Sequence, residues 1–147
     1  MISSLQQIFS RDLGALQKEI EAYNTETNLW KIEGQIKNSA GNLTLHLCGN
    51  LQHYIGSILG DTGYKRDRPA EFSMRDVPRA QLIEHIQTTK KVIHSTLSKY
   101  NDEDLDEKYP KPFKPDAPES IRYYLLHLTA HLSYHLGQVN YHRRLIG

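Results

Sequence analysis

Residues 121–145, IRYYLLHLTAHLSYHLGQVNYHRRL, place four of the chain's eight histidines on one predicted helix, at His127, His131, His135 and His142. Three of them are four residues apart, and helical geometry stacks such residues one turn above the next on a single face. At about 100° per residue, Tyr124, His127, Leu128, His131, His135, Gln138 and His142 gather on one side, with Leu125, Leu132 and Val139 at its flank. An imidazole-rich strip therefore adjoins the apolar face instead of opposing it. A helix patterned this way cannot bury that face alone. The remaining chain is read as a bundle that packs against it and brings one more polar group to the strip.

The other segments fit that reading. Residues 2–23 carry Ile2, Leu5, Ile8, Phe9, Leu13, Leu16, Ile20 and Tyr23 at three- and four-residue steps, the stripe of an amphipathic helix. Residues 24–38 are polar and broken, with Trp30 and Ile32 expected to cap one end of the core. A second helix is predicted from Ser39 or Asn42 to about Leu59, stopped by Gly60, Asp61 and Gly63. Residues 60–77 read as a charged loop without periodicity. A third helix starts near Pro78, which suits a first turn, and its stripe of Leu82, Ile86, Val92, Ile93 and Leu97 ends near Tyr100. An acidic and then proline-rich connection, 101–117, crosses an end of the bundle, and Pro118 opens the last helix. The expected fold is all-α: a four-helix bundle with long inter-helix connections, its helices packed antiparallel, as one domain spanning residues 1–147.

Composition excludes several roles. A formal charge of +1, with no basic run, gives no electrostatic reason to expect nucleic acid. No apolar stretch reaches the roughly 18 residues that span a bilayer, and the N-terminal residues lack a signal-peptide pattern. Cys48 is the one cysteine, so no internal disulfide forms, and a reducing, cytosolic location is expected.

One other segment matches the histidine strip. His46, Asn50, His53 and Ser57 share a face of the second helix, bordered by Leu43, Leu47 and Tyr54, whereas Cys48 points nearly opposite and reads as a buried filler. His85 and His94 have no such company. Eight histidines in a chain of this length give about 0.4 HxxxH pairs by chance, so two overlapping pairs facing a second strip stand out. The bland alternative is a set of partly buried histidines bonded to Tyr124, Tyr134, Asn50 or Gln138.

The segment HLTAHLSYHLGQ, followed by VNYHRRLIG, resembles the last helix of the DinB/YfiT-like superfamily, whose HxxxHxGQ motif is matched by His131, His135, Gly137 and Gln138. NLTLHLCGNLQHYIG is similar to that superfamily's second helix, where a histidine followed by an aliphatic residue supplies a third ligand. This position corresponds to His46. The resemblance runs from the second helix to the fourth and takes in the loop GDTGYKRDRPAEF. It implies a bundle with His46, His131 and His135 on one divalent metal, zinc, nickel or iron, and a homodimer. Some members are thiol transferases using mycothiol, bacillithiol or glutathione, or related isomerases. Many relatives have tryptophan and an acidic residue just before the second-helix histidine, where this chain has SAGNLTL, and His53, on the same face, is the alternative ligand.

Three histidines leave a coordination position for water or substrate, as in catalytic zinc sites, and imidazole alone does not choose among zinc, nickel and iron. The chemistry expected is thiol transfer or metal-assisted hydrolysis on a small molecule. The competing function is a non-catalytic bundle with a structural or adventitious metal, acting by dimerisation or partner binding. Gln138 and Asn50 can each accept from a ligand's outer ring N–H or simply pack. His142 reads as an end-of-helix cation or a base, and His127 as a packing neighbour. Lys65, Arg66 and Arg68 either meet an anionic substrate or form a solvated loop with Asp67 and Glu71.

Overall fold

The computed structural model describes residues 1–114, 116 and 119–147. Four long helices and one short one account for most of them. Helix α1 spans Ile2–Glu21, and its Leu5, Phe9, Leu13, Leu16 and Ile20 are buried. A 3₁₀ turn, Glu26–Trp30, then drops Leu29 and Trp30 into the end of the core, while Ile32 stays 46% exposed and caps nothing. Gly41 lets the Trp30 ring lie flat on the next helix, because a Cβ there would sit 2.7 Å from three ring atoms.

Helix α2 starts at Ala40, capped by the Ser39 side chain, which accepts from Asn42 N–H. It is regular over Ala40–Leu51, where every residue is buried, then widens into a π-type stretch, Gln52–Ser57, before a last turn, Ile58–Gly60. Periodicity predicts a plain helix here and misses the widening. Residues 60–77 also depart from expectation, since they hold a short helix, α3 (Arg68–Ser73), capped by Asp67 and begun by Pro69. Helix α4 is Arg79–Leu97, with Pro78 as its cap residue. Helix α5 is Ile121–Ile146, and the Ser120 side chain accepts from Tyr123 N–H at its start. The expected opening at Pro118 lies outside the described residues.

The helices do not simply alternate in direction. The start of α1 meets the end of α4, where Gln6 Nε2 donates to Ser98 Oγ at 3.1 Å. The end of α1 meets the end of α5, where Arg143 pairs with Glu19 and Asn140 donates to the same carboxylate. The end of α2 meets the end of α4, through the Tyr100 hydroxyl and the Leu59 carbonyl. So α1 and α5 run one way, α2 and α4 the other, in the order up, down, down, up. The physical reason is the 61–78 connection. It returns along the bundle to the start of α2, where the Asn42 amide donates to the carbonyls of Glu71 and Met74. Residues 98–114 cross one end as expected, and an isolated bridge joins Lys108 to Ser120. Tyr109 anchors it, fully buried, with its hydroxyl on the Tyr54 carbonyl at 2.7 Å.

The core is shared by all four long helices, through Phe9, Leu13, Leu47, Leu51, Leu82, Ile86, Leu125, Leu132 and Val139 among others. Each such side chain contributes about 1.5–3 kcal/mol on leaving water. Among the described residues no helix is long and apolar enough to cross a membrane.

Candidate metal centre

His46 sits in the all-buried stretch of α2, and His131 and His135 lie one turn apart on α5, which passes α2 head to tail. The fold brings these three together. One ring nitrogen from each lies within 4.8 Å of the others, and His46 Nε2 is 3.2 Å from His131 Nε2. Two imidazole nitrogens on one tetrahedral zinc, each about 2.0–2.1 Å from it, stand about 3.3–3.4 Å apart. The spacing therefore suits a shared ion. Among the described residues no fourth histidine, cysteine or carboxylate joins the group.

The outer ring atoms decide which nitrogens face inward. His46 Nδ1–H donates to Glu71 Oε1 at 3.0 Å, so its Nε2 turns a lone pair to the other two histidines. His135 Nδ1–H donates to Gln138 Oε1 at 2.7 Å, with the same result. His131 Nδ1 is buried without a partner. Burial, and then the neighbouring His135, His46, His127 and Arg66, push the His131 imidazole down to about 4. Burial lowers His135 too, against its hydrogen bond to Gln138 and with help from His46. Both rings are therefore neutral at pH 7, the form that donates a lone pair to a metal.

Glu71 is the residue that sequence reasoning missed. It is buried on α3, and Arg66 Nε and Nη2 grip its two carboxylate oxygens at 2.9 and 2.8 Å. Burial alone would raise this carboxyl, but hydrogen bonds from Arg66 and His46, with the charge of Arg66, hold it below the ordinary range. A carboxylate behind a histidine fixes the ring's tautomer and strengthens it as a ligand. Gly49 makes the arrangement possible, since a Cβ there would overlap Glu71 Oε2. Phe72, on the same short helix, packs against the His46 ring at 4.8 Å between centroids. The signal for it in the sequence is Asp67–Arg68–Pro69, a helix start within residues 60–77.

The other candidates separate from the centre. His53 stands at the beginning of the widened stretch of α2, against the Tyr54 ring, outside the cluster. Of His46 and His53, it is His46 that lies in the cluster. Asn50 is buried but its Oδ1 has no partner, so of the two amides only Gln138 holds a histidine. His127 is exposed and lies nearly parallel to His131, with 6.5 Å between centroids. His142 is buried away from the helix end's solvent, with the Tyr23 hydroxyl at Nδ1 and its Nε2–H on the Lys31 carbonyl at 2.8 Å. Cys48 is buried, and burial pushes its thiol up to about 12. The expected solvated pairing of Arg66 with Glu71 exists, but inside the protein.

A family model described as the DinB superfamily matches residues 8–139. The chain belongs to the DinB superfamily. Helical architecture follows from that membership. No curated protein matches the chain.

Proposed function

We propose that this DinB superfamily protein binds one divalent metal ion, zinc, nickel or iron, through His46, His131 and His135, and that it is a metal-dependent enzyme of the thiol-transferase or hydrolase kind. The observation that carries the reading is the convergence of three ring nitrogens from two helices, with two of the rings fixed from behind by Glu71 and Gln138. A three-histidine set leaves one position open, which favours catalysis over a purely structural ion. The ion would supply Lewis acidity there, activating water or holding a thiol as thiolate. The protein's own residues would orient the rings and keep water away on the Phe72 side. Cys48 is sealed and protonated, so a thiol reaching the site would have to come from a low-molecular-weight cofactor. Protein purified without an affinity tag should contain close to one ion per chain by elemental analysis. Near-zero metal that added zinc, nickel or iron does not restore would sink the reading.

A homodimer fits the same reading. Tyr123, Leu126 and Tyr134 on α5 are 44–65% exposed, and Ala130 and Gly137 continue their line at three- and four-residue steps without a charge. Gly137 costs its helix about 1 kcal/mol relative to alanine. A Cβ at Gly137 would meet nothing within 4 Å, so the chain's own packing gives no reason for it. A bare spot of backbone between exposed tyrosines suits close approach of the same face of a second copy about a two-fold axis. Sedimentation should give twice the 17.0 kDa chain mass, and Gly137→Arg should give monomers with unchanged helix content. A wild-type monomer at tens of micromolar would reject the dimer.

A further inference from the structure

Beside the histidines, between residues 35–38 and the second half of α5, lies a cavity of about 660 Å³. Ile36, Leu43, Tyr141 and Leu145 give it carbon-rich walls, and Gln138 and His142 complete the lining on the α5 side. It adjoins the candidate metal centre at two residues. Gln138 is both a wall of the cavity and the acceptor for His135 Nδ1–H. Leu43 stands one helical turn before His46 on α2.

The cavity is also built in advance. Both nitrogens of His142 are engaged, one by the Tyr23 hydroxyl and one by the Lys31 carbonyl, so this buried ring offers no unmet hydrogen bond to a ligand. The Asn28 amide donates to the Ile146 carbonyl at 3.0 Å, which fastens the segment after α1 to the end of α5. The volume falls within the roughly 300–1,000 Å³ of small-molecule sites. Its remaining lining side chains, Gln35, Lys37 and Asn38, are exposed and stand together on the 35–38 side, so polar groups edge the cavity while carbon from Ile36, Leu43, Tyr141 and Leu145 lines it.

We propose that this cavity is the specificity pocket of the histidine site. It takes the unbranched apolar tail of a small substrate whose polar, reacting end lies at His46, His131 and His135. The proposal rests on the metal-site reading above, and its test is chosen to separate the two. Hydroxamates bind metal ions through one common head group, so chain length can be varied with the head held constant. Zinc-loaded protein should be titrated with acetohydroxamate and with octanohydroxamate. Each methylene that leaves water multiplies affinity by roughly three- to fourfold when fully buried. The octano compound should therefore bind at least about 30-fold tighter, even with a chain that is only partly covered.

Tyr141→Asp and Leu145→Asp should reduce that ratio to a few-fold. Both side chains are more than 70% exposed, so neither variant endangers folding. Equal binding of the two hydroxamates by wild type would overturn the pocket and leave the metal site standing. A chain-length preference that survives both substitutions would also overturn it. Failure of both compounds to bind zinc-loaded protein would remove the metal-site reading, and the pocket with it.

Discussion

His131→Ala should strip the protein of metal while leaving its fold intact. His131 Nε2 stands 3.2 Å from His46 Nε2, and among the described residues no other histidine, cysteine or carboxylate joins the cluster to replace it. Structural zinc sites bind with apparent free energies of about 10–16 kcal/mol over four ligands, so one ligand is worth roughly a hundred- to a thousandfold in affinity. After dialysis the variant should retain a small fraction of the wild-type metal by elemental analysis. His46→Ala should behave the same way. His53→Ala and His127→Ala should keep close to a full complement, since neither ring belongs to the cluster. A His131→Ala protein with full metal, or a His53→Ala protein with none, would assign the ligands differently.

The fold should survive because the ion does not hold the bundle together. Leu47, Leu128 and Leu132, on the same helices as the histidines, are buried in the core, and the helix ends are tied by side-chain caps and an ion pair. Metal-free protein should therefore melt cooperatively with unchanged far-ultraviolet circular dichroism. That behaviour separates a catalytic ion from a structural one, whose removal unfolds small metal domains.

The parts of this centre differ in how well the sequence reveals them, and the difference follows the range of the interactions. His131 and His135 are one turn apart on one helix, a local relation that spacing alone displays. His46 could be narrowed to a face it shares with His53, but the choice needed the register between α2 and α5 in space. Glu71 could be read as a partner for Arg66 but not as one for His46. It reaches His46 only because the 61–78 connection folds back along the bundle, and a stripe of apolar residues says which side of a helix is buried, not which way its neighbour runs. His142 shows the same limit: its partners, Tyr23 and the Lys31 carbonyl, are brought to it from the far end of the chain. The π-type stretch after Leu51 leaves no mark in the periodicity, because its inward residue, Ile55, still falls at a helical step from Leu51.

The second large effect is expected behind the ligands, at the pair formed by Glu71 and Gly49. Glu71→Gln should lower metal affinity about 10- to 100-fold, the usual cost of disturbing a group that orients a ligand histidine. The amide can still accept from His46 Nδ1–H but no longer carries the charge that strengthens the ring or answers Arg66. Glu71→Ala should do more. It leaves the Arg66 guanidinium and His46 Nδ1 without their partner, and removing one side of a buried ion pair costs about 3–5 kcal/mol where the other cannot escape to water. Arg66, only 11% exposed, can recover part of that by swinging outward. Gly49→Ala should resemble Glu71→Gln from the opposite side, since its methyl group would push the carboxylate off His46. The two positions are in contact and should couple. Alanine at position 49 should weaken metal binding in the wild-type background and change little once Glu71 is alanine, as measured by competition with a chelator in a double-mutant cycle. Additive losses would mean that Gly49 acts by another route and that the carboxylate does not set the His46 ring.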